Sequence, residues 1–185
     1  MIKGHCVLKH TGLVYFIYNT IVDIYTFIIL LHIVGTILGV GGATIAEVSI
    51  HRALKDGKVS TDEKALLHGT YAVLRVGMAF IILSAILMVW YHTANNTIGR
   101  LLNEKIWFKE FLFLIIIINA VAISNRWVPL WLGAATSFTG WWMATILGVA
   151  GRLPYSFFTY LFAFIVATLL VAAALHIIRK KLAAN

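Results

Sequence analysis

The sequence is short of charge: of 185 residues only 12% are Asp, Glu, Lys or Arg, and the acidic ones number seven. A water-soluble domain carries roughly a quarter charged residues, so a water-soluble enzyme is excluded and lipid is the expected solvent. Cysteine is almost missing as well. Cys6 is the single one, which rules out an internal disulfide and any CxxC or four-cysteine metal site. The chain has no Walker loop, no dinucleotide fingerprint and no His-Glu-x-x-His zinc motif, which disfavours nucleotide-driven and zinc-hydrolase chemistry. Ser137 has no base nearby in sequence that would make it a nucleophile. No internal repeat or low-complexity tract is present.

What fills the chain is apolar: 61% of residues are hydrophobic and the mean hydropathy is +0.92. Lys and Arg total 15 against seven acidic residues, for a net charge of +8. In a membrane protein that excess belongs to basic loops rather than to nucleic-acid binding. A helix needs about 20 apolar residues to cross roughly 30 Å of hydrocarbon. Five segments meet that length: Ile24 to Ile50, Ala65 to Tyr91, Ile106 to Ser124, Leu130 to Ala150 and Tyr155 to Ile178. The expected fold class is therefore all-α, a polytopic integral membrane bundle of about five transmembrane helices. Its short connections make successive helices antiparallel neighbours.

Local signals support these boundaries. The hairpin from His51 to Lys64 carries a turn at Lys55, Asp56, Gly57 and Lys58, and Ser60 with Glu63 has the spacing of a capping box that opens the second helix. The two prolines, Pro129 and Pro154, stand where a helix can begin without losing a needed donor. Residues 1–23 read as an N-terminal interfacial segment, because Leu13 to Tyr18 is too short to span. Residues 24–185 form one bundle domain. A cleaved signal peptide fits poorly, since the apolar run continues past Gly35.

Call the face where the first helix begins side A and the hairpin face side B. Side B holds Arg52, Lys55, Lys58, Lys64, Arg126, Arg179, Lys180 and Lys181, against Lys3, Lys9, Arg100, Lys105, Lys109 and Arg152 on side A. This bias predicts a cytoplasmic side B in a bacterial or archaeal cell membrane, with the N-terminus outside and the C-terminus inside. Trp107, Trp127, Trp131 and Tyr155 lie near span ends, as an aromatic belt requires.

Ionisable residues inside a span cost ~2.5 kcal/mol or more at the helix centre, so each needs a partner, a ligand or an escape to the interface. The informative set is His32, Glu47, His68, Arg75, Lys109, Glu110 and His176. His32 stands about 12 Å below side A at 1.5 Å per residue, and Gly35, Thr36, Gly39, Gly42 and Ala43 share its helical face. Two readings of that face stay open. Glycines at this spacing let another helix approach closely, with His32 hydrogen-bonding across the contact. Alternatively a flat macrocycle lies in the groove with the imidazole as axial ligand. Toward side B, His68 and His176 lie at matching depth and form a candidate shared-ligand pair. Glu47 and Arg75, opposite in charge on antiparallel neighbours, form either a structural ion pair or a site where Arg75 holds an anionic propionate or phosphate. His5, Cys6 and His10 offer a weak soft-metal set without a fourth ligand.

Two stretches carry a resemblance: Leu-His-Ile-Val-Gly-Thr-Ile-Leu-Gly-Val-Gly-Gly-Ala at Leu31 to Ala43, and the run from Ile106 to Ala120 led by Trp107 and Lys109. The first is similar to the Leu-His opening helix of small membrane b-type haem proteins, the second to their lysine-bearing third helix. The families are the four-helix membrane protoporphyrinogen oxidase and the copper-resistance D-like proteins. The resemblance covers residues 24 to 124. It implies a helical bundle holding haem b, with His32 as axial iron ligand and Lys109 as counterpart of the oxidase family's lysine near the haem. This chain has Gly39, Gly41 and Gly42 where the oxidase pattern has a Trp and then an aromatic-Pro-Arg run, so the implied role is the broader one of haem binding or haem-linked electron transfer.

Three functions are thus expected in turn. The first is a membrane cytochrome or haem-linked redox protein, an oxidoreductase if it is an enzyme. It would exchange electrons with a quinone or redox partner, its cofactor residues His32, Gly35, Gly39, Arg75 and Lys109 and its metal-ligand candidates His32, His68 and His176. The second is a cofactor-free transporter or channel subunit using Glu47 and Arg75, with Thr136, Ser137 and Thr139 facing a cavity. The third is an accessory subunit whose glycine faces pack against a partner or a second copy.

Overall fold

A computed structural model describes residues 4–55, 60–151 and 153–183, with side chains described for 24–50, 60–129, 131–151, 153–178, 180 and 181. Among these residues there is no strand. Five α-helices follow in order: α1 Gly4–Lys55, α2 Thr61–Ala94, α3 Glu104–Ser124, α4 Leu130–Val149 and α5 Phe157–Ala183, with one 3-10 turn at Ile98–Leu101. His5, Cys6 and His10, and the turn and loop positions Lys55, Asp56, Gly57, Lys58 and Arg152, lie outside the described side chains. The backbone of α1 runs from Gly4 without a break at residue 23.

Among the described residues four helices are long and apolar enough to cross a membrane: Ile24–Ile50 within α1, all of α2 and α3, and Phe157–Ile178 within α5. α4 is the exception to the five expected spans. It is as long as α3 to within one residue, but Gly133, Thr136, Ser137, Thr139, Gly140 and its three tryptophans dilute its apolar character. Its position explains why that is tolerated: α4 packs against α1, α3 and α5, burying Gly133, Ala134, Ala135, Thr139, Gly140 and Trp141, so protein covers what lipid would otherwise have to. The outer faces are apolar, with Phe27, Ile86 and Phe158 all more than 60% exposed. In lipid that surface is solvated, whereas in water it would be far beyond the apolar patch of an ordinary monomer. The chain is an integral membrane helical bundle.

Two packing units build it. α1 and α2 pair along stripes of mostly small residues repeating every seven positions: Ile28, Gly35, Gly42 and Ser49 on α1, and Thr70, Gly77 and Ser84 on α2, all buried. Seven-residue repeats bring two helices together at a shallow angle, and small side chains let the backbones approach closely. The closest approach is at Gly35 and Gly77: a β-carbon on Gly35 would stand 2.9 Å from the Gly77 carbonyl oxygen. α3, α4 and α5 form the second unit around Phe108, Leu112, Leu147, Tyr160 and Phe164. The units meet where Ala43, Ile116 and Trp141 pack together, flanked by Leu74, Met78, Ile81 and Phe113.

Helix ends are fixed by side chains. Ser60 and Glu63 make the expected capping box on α2, and Pro129 is the N-cap of α4. Asn96 and Arg126, with φ of 53° and 59°, are the left-handed residues that follow α2 and α3. At side A two neighbours on α3 hold the other two helices. Lys105 Nζ donates to the carbonyls of Ala150 (2.7 Å) and Gly151 (2.8 Å), and the Glu104 carboxylate accepts from the Phe157 N–H at the start of α5. A cation on a helix C-terminus and an anion on a helix N-terminus each oppose the local end of the helix dipole.

Candidate ligand site at the side A end

The best-defined polar contact between the two long helices is His32 Nδ1 to Ser84 Oγ at 2.9 Å. Ser84 is fully buried, at 0% exposure, and its hydroxyl also lies 2.9 Å from the Ile81 carbonyl oxygen. A serine has one proton. Two proton placements fit these distances: Ser84 donating to Nδ1, or Ser84 donating to the carbonyl and accepting from His32, which puts the proton of the neutral imidazole on Nδ1. In the second, Nε2 is the unprotonated nitrogen. This is the arrangement of metal-ligating histidines, which almost always give their other ring N–H to a neighbouring acceptor. Lys109 on α3, half-buried, lies within electrostatic reach of the same ring. His32 and Lys109 therefore come together, as the sequence implied. Ser84 was not among the expected residues, although a lone serine within the apolar run Phe80 to Val89 marks it.

The glycine face behaves differently. Gly35 is packed on the Gly77 carbonyl and Ile81, Gly42 meets Leu74, and a β-carbon on Gly39 would overlap the Trp141 ring. The groove beside Gly35 and Gly39 is filled by α2 and by Trp141, itself 2% exposed. Of the two readings of that face, helix packing is the one the side chains adopt, and the groove has no room for a macrocycle.

The remaining expected residues are not gathered here. Arg75 is nine residues from Ser84, two and a half turns at about 3.6 residues per turn, so it lies on the opposite side of α2. It is exposed, and its Nε donates to the Tyr71 carbonyl at 3.3 Å. Glu47 is 7% exposed and lies within electrostatic reach of Tyr71; the buried carboxylate and the outward guanidinium do not share a pocket. His68 is sixteen residues from Ser84, about 24 Å along α2, and both His68 and His176 are exposed. No group of three or more His, Cys, Asp and Glu side chains placed to hold a metal occurs among the described residues. Were haem b held at this end, His32 would supply a nitrogen ligand beside Ser84 and Lys109 a cation for a propionate, outside the filled Gly35–Gly39 groove. Gly35, Gly39, Arg75, His68 and His176 contribute nothing at that place.

A second polar seam crosses α3 and α4. Asn119, 9% exposed, donates to the Gly133 carbonyl (2.7 Å) and to Ser137 Oγ (2.8 Å). The hydroxyls of Thr139 and Thr168 are buried without a hydrogen-bond partner. Counted from the α4–α5 connection, Thr139 is ten residues from the end of α4 and Thr168 eleven from the start of α5, so both stand near mid-depth.

Comparison with family models, with curated proteins and with solved structures gave no match to this chain.

Proposed function

We propose that the chain is a membrane redox protein that binds haem b through His32. The observation that carries this reading is the ring of His32, hydrogen-bonded through Nδ1 to a fully buried serine; with the proton on Nδ1, Nε2 is the electron-pair donor. Bound haem would supply a one-electron couple, exchanging electrons with a quinone or a membrane redox partner. The chain's own part is to orient the imidazole through Ser84, to raise its basicity through that hydrogen bond, and to place the Lys109 ammonium where it offsets the charge of a propionate. The excess of Lys and Arg on side B supports an outside N-terminus and a cytoplasmic C-terminus in this reading.

The test is an optical spectrum of protein purified in mild detergent, oxidised and then dithionite-reduced, with a pyridine haemochrome assay. A Soret band that disappears in His32→Ala, and a reduced α band that shifts in Ser84→Ala with colour retained, are the expected results. Protein that stays colourless after haem is supplied overturns the reading. A transport function is favoured by one separate observation, the burial of Glu47 within a membrane-spanning helix. Ion flux in liposomes lost in Glu47→Gln, from colourless protein, would establish it instead.

A further inference from the structure

We propose that Glu47, Thr139 and Thr168 form a site for an alkali-metal cation inside the bundle. Helical threonines of this chain turn the hydroxyl back onto the carbonyl four residues earlier, as Thr36, Thr44, Thr70, Thr93 and Thr145 do. Thr139 and Thr168 do not. They are only 5% and 9% exposed, and their hydroxyls meet no hydrogen-bond partner among the described residues. Buried polar atoms without a partner are rare, and two of them on neighbouring helices point to a shared ligand.

The packing brings the three to one level. α4 and α5 are antiparallel neighbours, and their shared core descends in steps of four: Leu147 and Tyr160, then Met143 and Phe164, all in one cluster. One more step of four, just over a turn on each helix, reaches Thr139 and Thr168. α1 packs on both α4 and α5, and Trp142 Nε1 donates to Thr44 Oγ1 at 3.2 Å. Because α1 runs antiparallel to α4, three residues on from Thr44 and three back from Trp142 bring Glu47 level with Thr139. Ala43, one turn before Glu47 on the same face, packs against Trp141, which turns that face toward α4. Ala43, Ala46, Ala135 and Ala172, one to four positions from the three residues, are buried with them and are short enough to leave their oxygens within reach of one another. Carboxylate and hydroxyl oxygens are ligands for hard cations, and one carboxylate matches a single charge, which selects an alkali ion over a divalent one. A buried carboxylate within a span marks an ion site. Glu47 is fifteen residues from His32, about 22 Å along α1, so the site does not depend on what His32 binds.

The experiment is thermal melting of the full chain in mild detergent, with lithium, sodium or potassium chloride titrated against choline chloride at constant ionic strength. Wild type is expected to show a saturable rise in midpoint with at least one alkali ion, and the order of the three identifies which. Thr139→Val and Thr168→Val are expected to melt at or above wild type in choline alone, yet to need about tenfold more of that ion for half the rise, the loss of one oxygen contact. Thr139→Ser and Thr168→Ser keep the oxygen and respond like wild type, whereas Glu47→Gln loses the rise. Alkali salts that act no differently from choline, valine or glutamine variants that respond like wild type, or serine variants that respond no better than the valine ones would each overturn the proposal. None of these outcomes bears on haem, which is read by colour.

Discussion

Gly35 and Gly41 are six residues apart on α1, and the structure gives them opposite responses to the same substitution. In Gly35→Ala the added carbon would stand 2.9 Å from the Gly77 carbonyl oxygen and from Ile81 Cγ1, and 3.1 Å from the Ile81 amide nitrogen. Ordinary contact begins near 3.4 Å, so about 0.5 Å of separation is required, and two of the three atoms are backbone that cannot rotate aside. α2 has to back away from α1. Overpacking of this kind costs about 1–3 kcal/mol, which for a chain of this length lowers the thermal midpoint by about 2–4 °C per kcal/mol. The same displacement stretches the His32 to Ser84 hydrogen bond from 2.9 Å toward the outer limit of such bonds. Gly41 has nothing within 4 Å of its would-be β-carbon, and Gly41→Ala should stabilise by up to ~1 kcal/mol through helix propensity alone. Melting in mild detergent, followed by near-ultraviolet circular dichroism, reads both. If Gly35→Ala melts at or above wild type, the close α1–α2 contact is not how these helices pack.

Two further perturbations probe the polar interior and the side A clamp. Thr139→Val and Thr168→Val each remove a buried hydroxyl without a partner at nearly constant volume, and should stabilise by about 1–2 kcal/mol, read in the same melts; destabilisation would show that the hydroxyls are hydrogen-bonded when the protein functions. Lys105→Met keeps the apolar stem but releases the Ala150 and Gly151 carbonyls, and should cost about 1–2 kcal/mol and speed amide exchange in the last turn of α4, with unchanged exchange there as the refuting result.

The spans were legible because lipid imposes a coarse rule, long apolar runs with short breaks, which Ile106 to Ser124 satisfies to within two residues of the observed helix; Leu130 to Ala150 matches a helix to within one residue but is not among the candidate spans. The capping box at Ser60 was legible because it is local. Depth was legible too, which is why His32 and Lys109 were placed near the same surface. Azimuth was not. Arg75 and Glu47 carry opposite charge on paired helices, yet rotation about α2 sends Arg75 outward while Glu47 is buried on α1. The signal that decides this is present in the sequence but needs the pairing to be known: Thr70, Gly77 and Ser84 recur every seven residues, and Arg75 falls off that stripe. Read with the stripe in hand, Ser84 becomes the natural partner of a histidine on the facing glycine stripe.

The same stripe explains why a glycine-rich face beside a histidine is an ambiguous sign of a cofactor. A macrocycle and a neighbouring helix make the same demand on a helix surface, absence of side chains over several turns, and composition cannot tell which one answers it. Here the occupants are particular atoms, the Gly77 carbonyl against Gly35 and the Trp141 ring over Gly39. What sets His32 apart is therefore not its glycines but the Ser84 hydroxyl, which meets both Nδ1 of the ring and the Ile81 carbonyl. Nδ1 accepts from that hydroxyl only in the Nε2-protonated tautomer and donates to it only in the Nδ1-protonated one, so the direction of the Ser84 proton decides which nitrogen is open to a ligand. In the proposed haem reading, a ligand at Nε2 depends on the Ser84 proton going to Ile81.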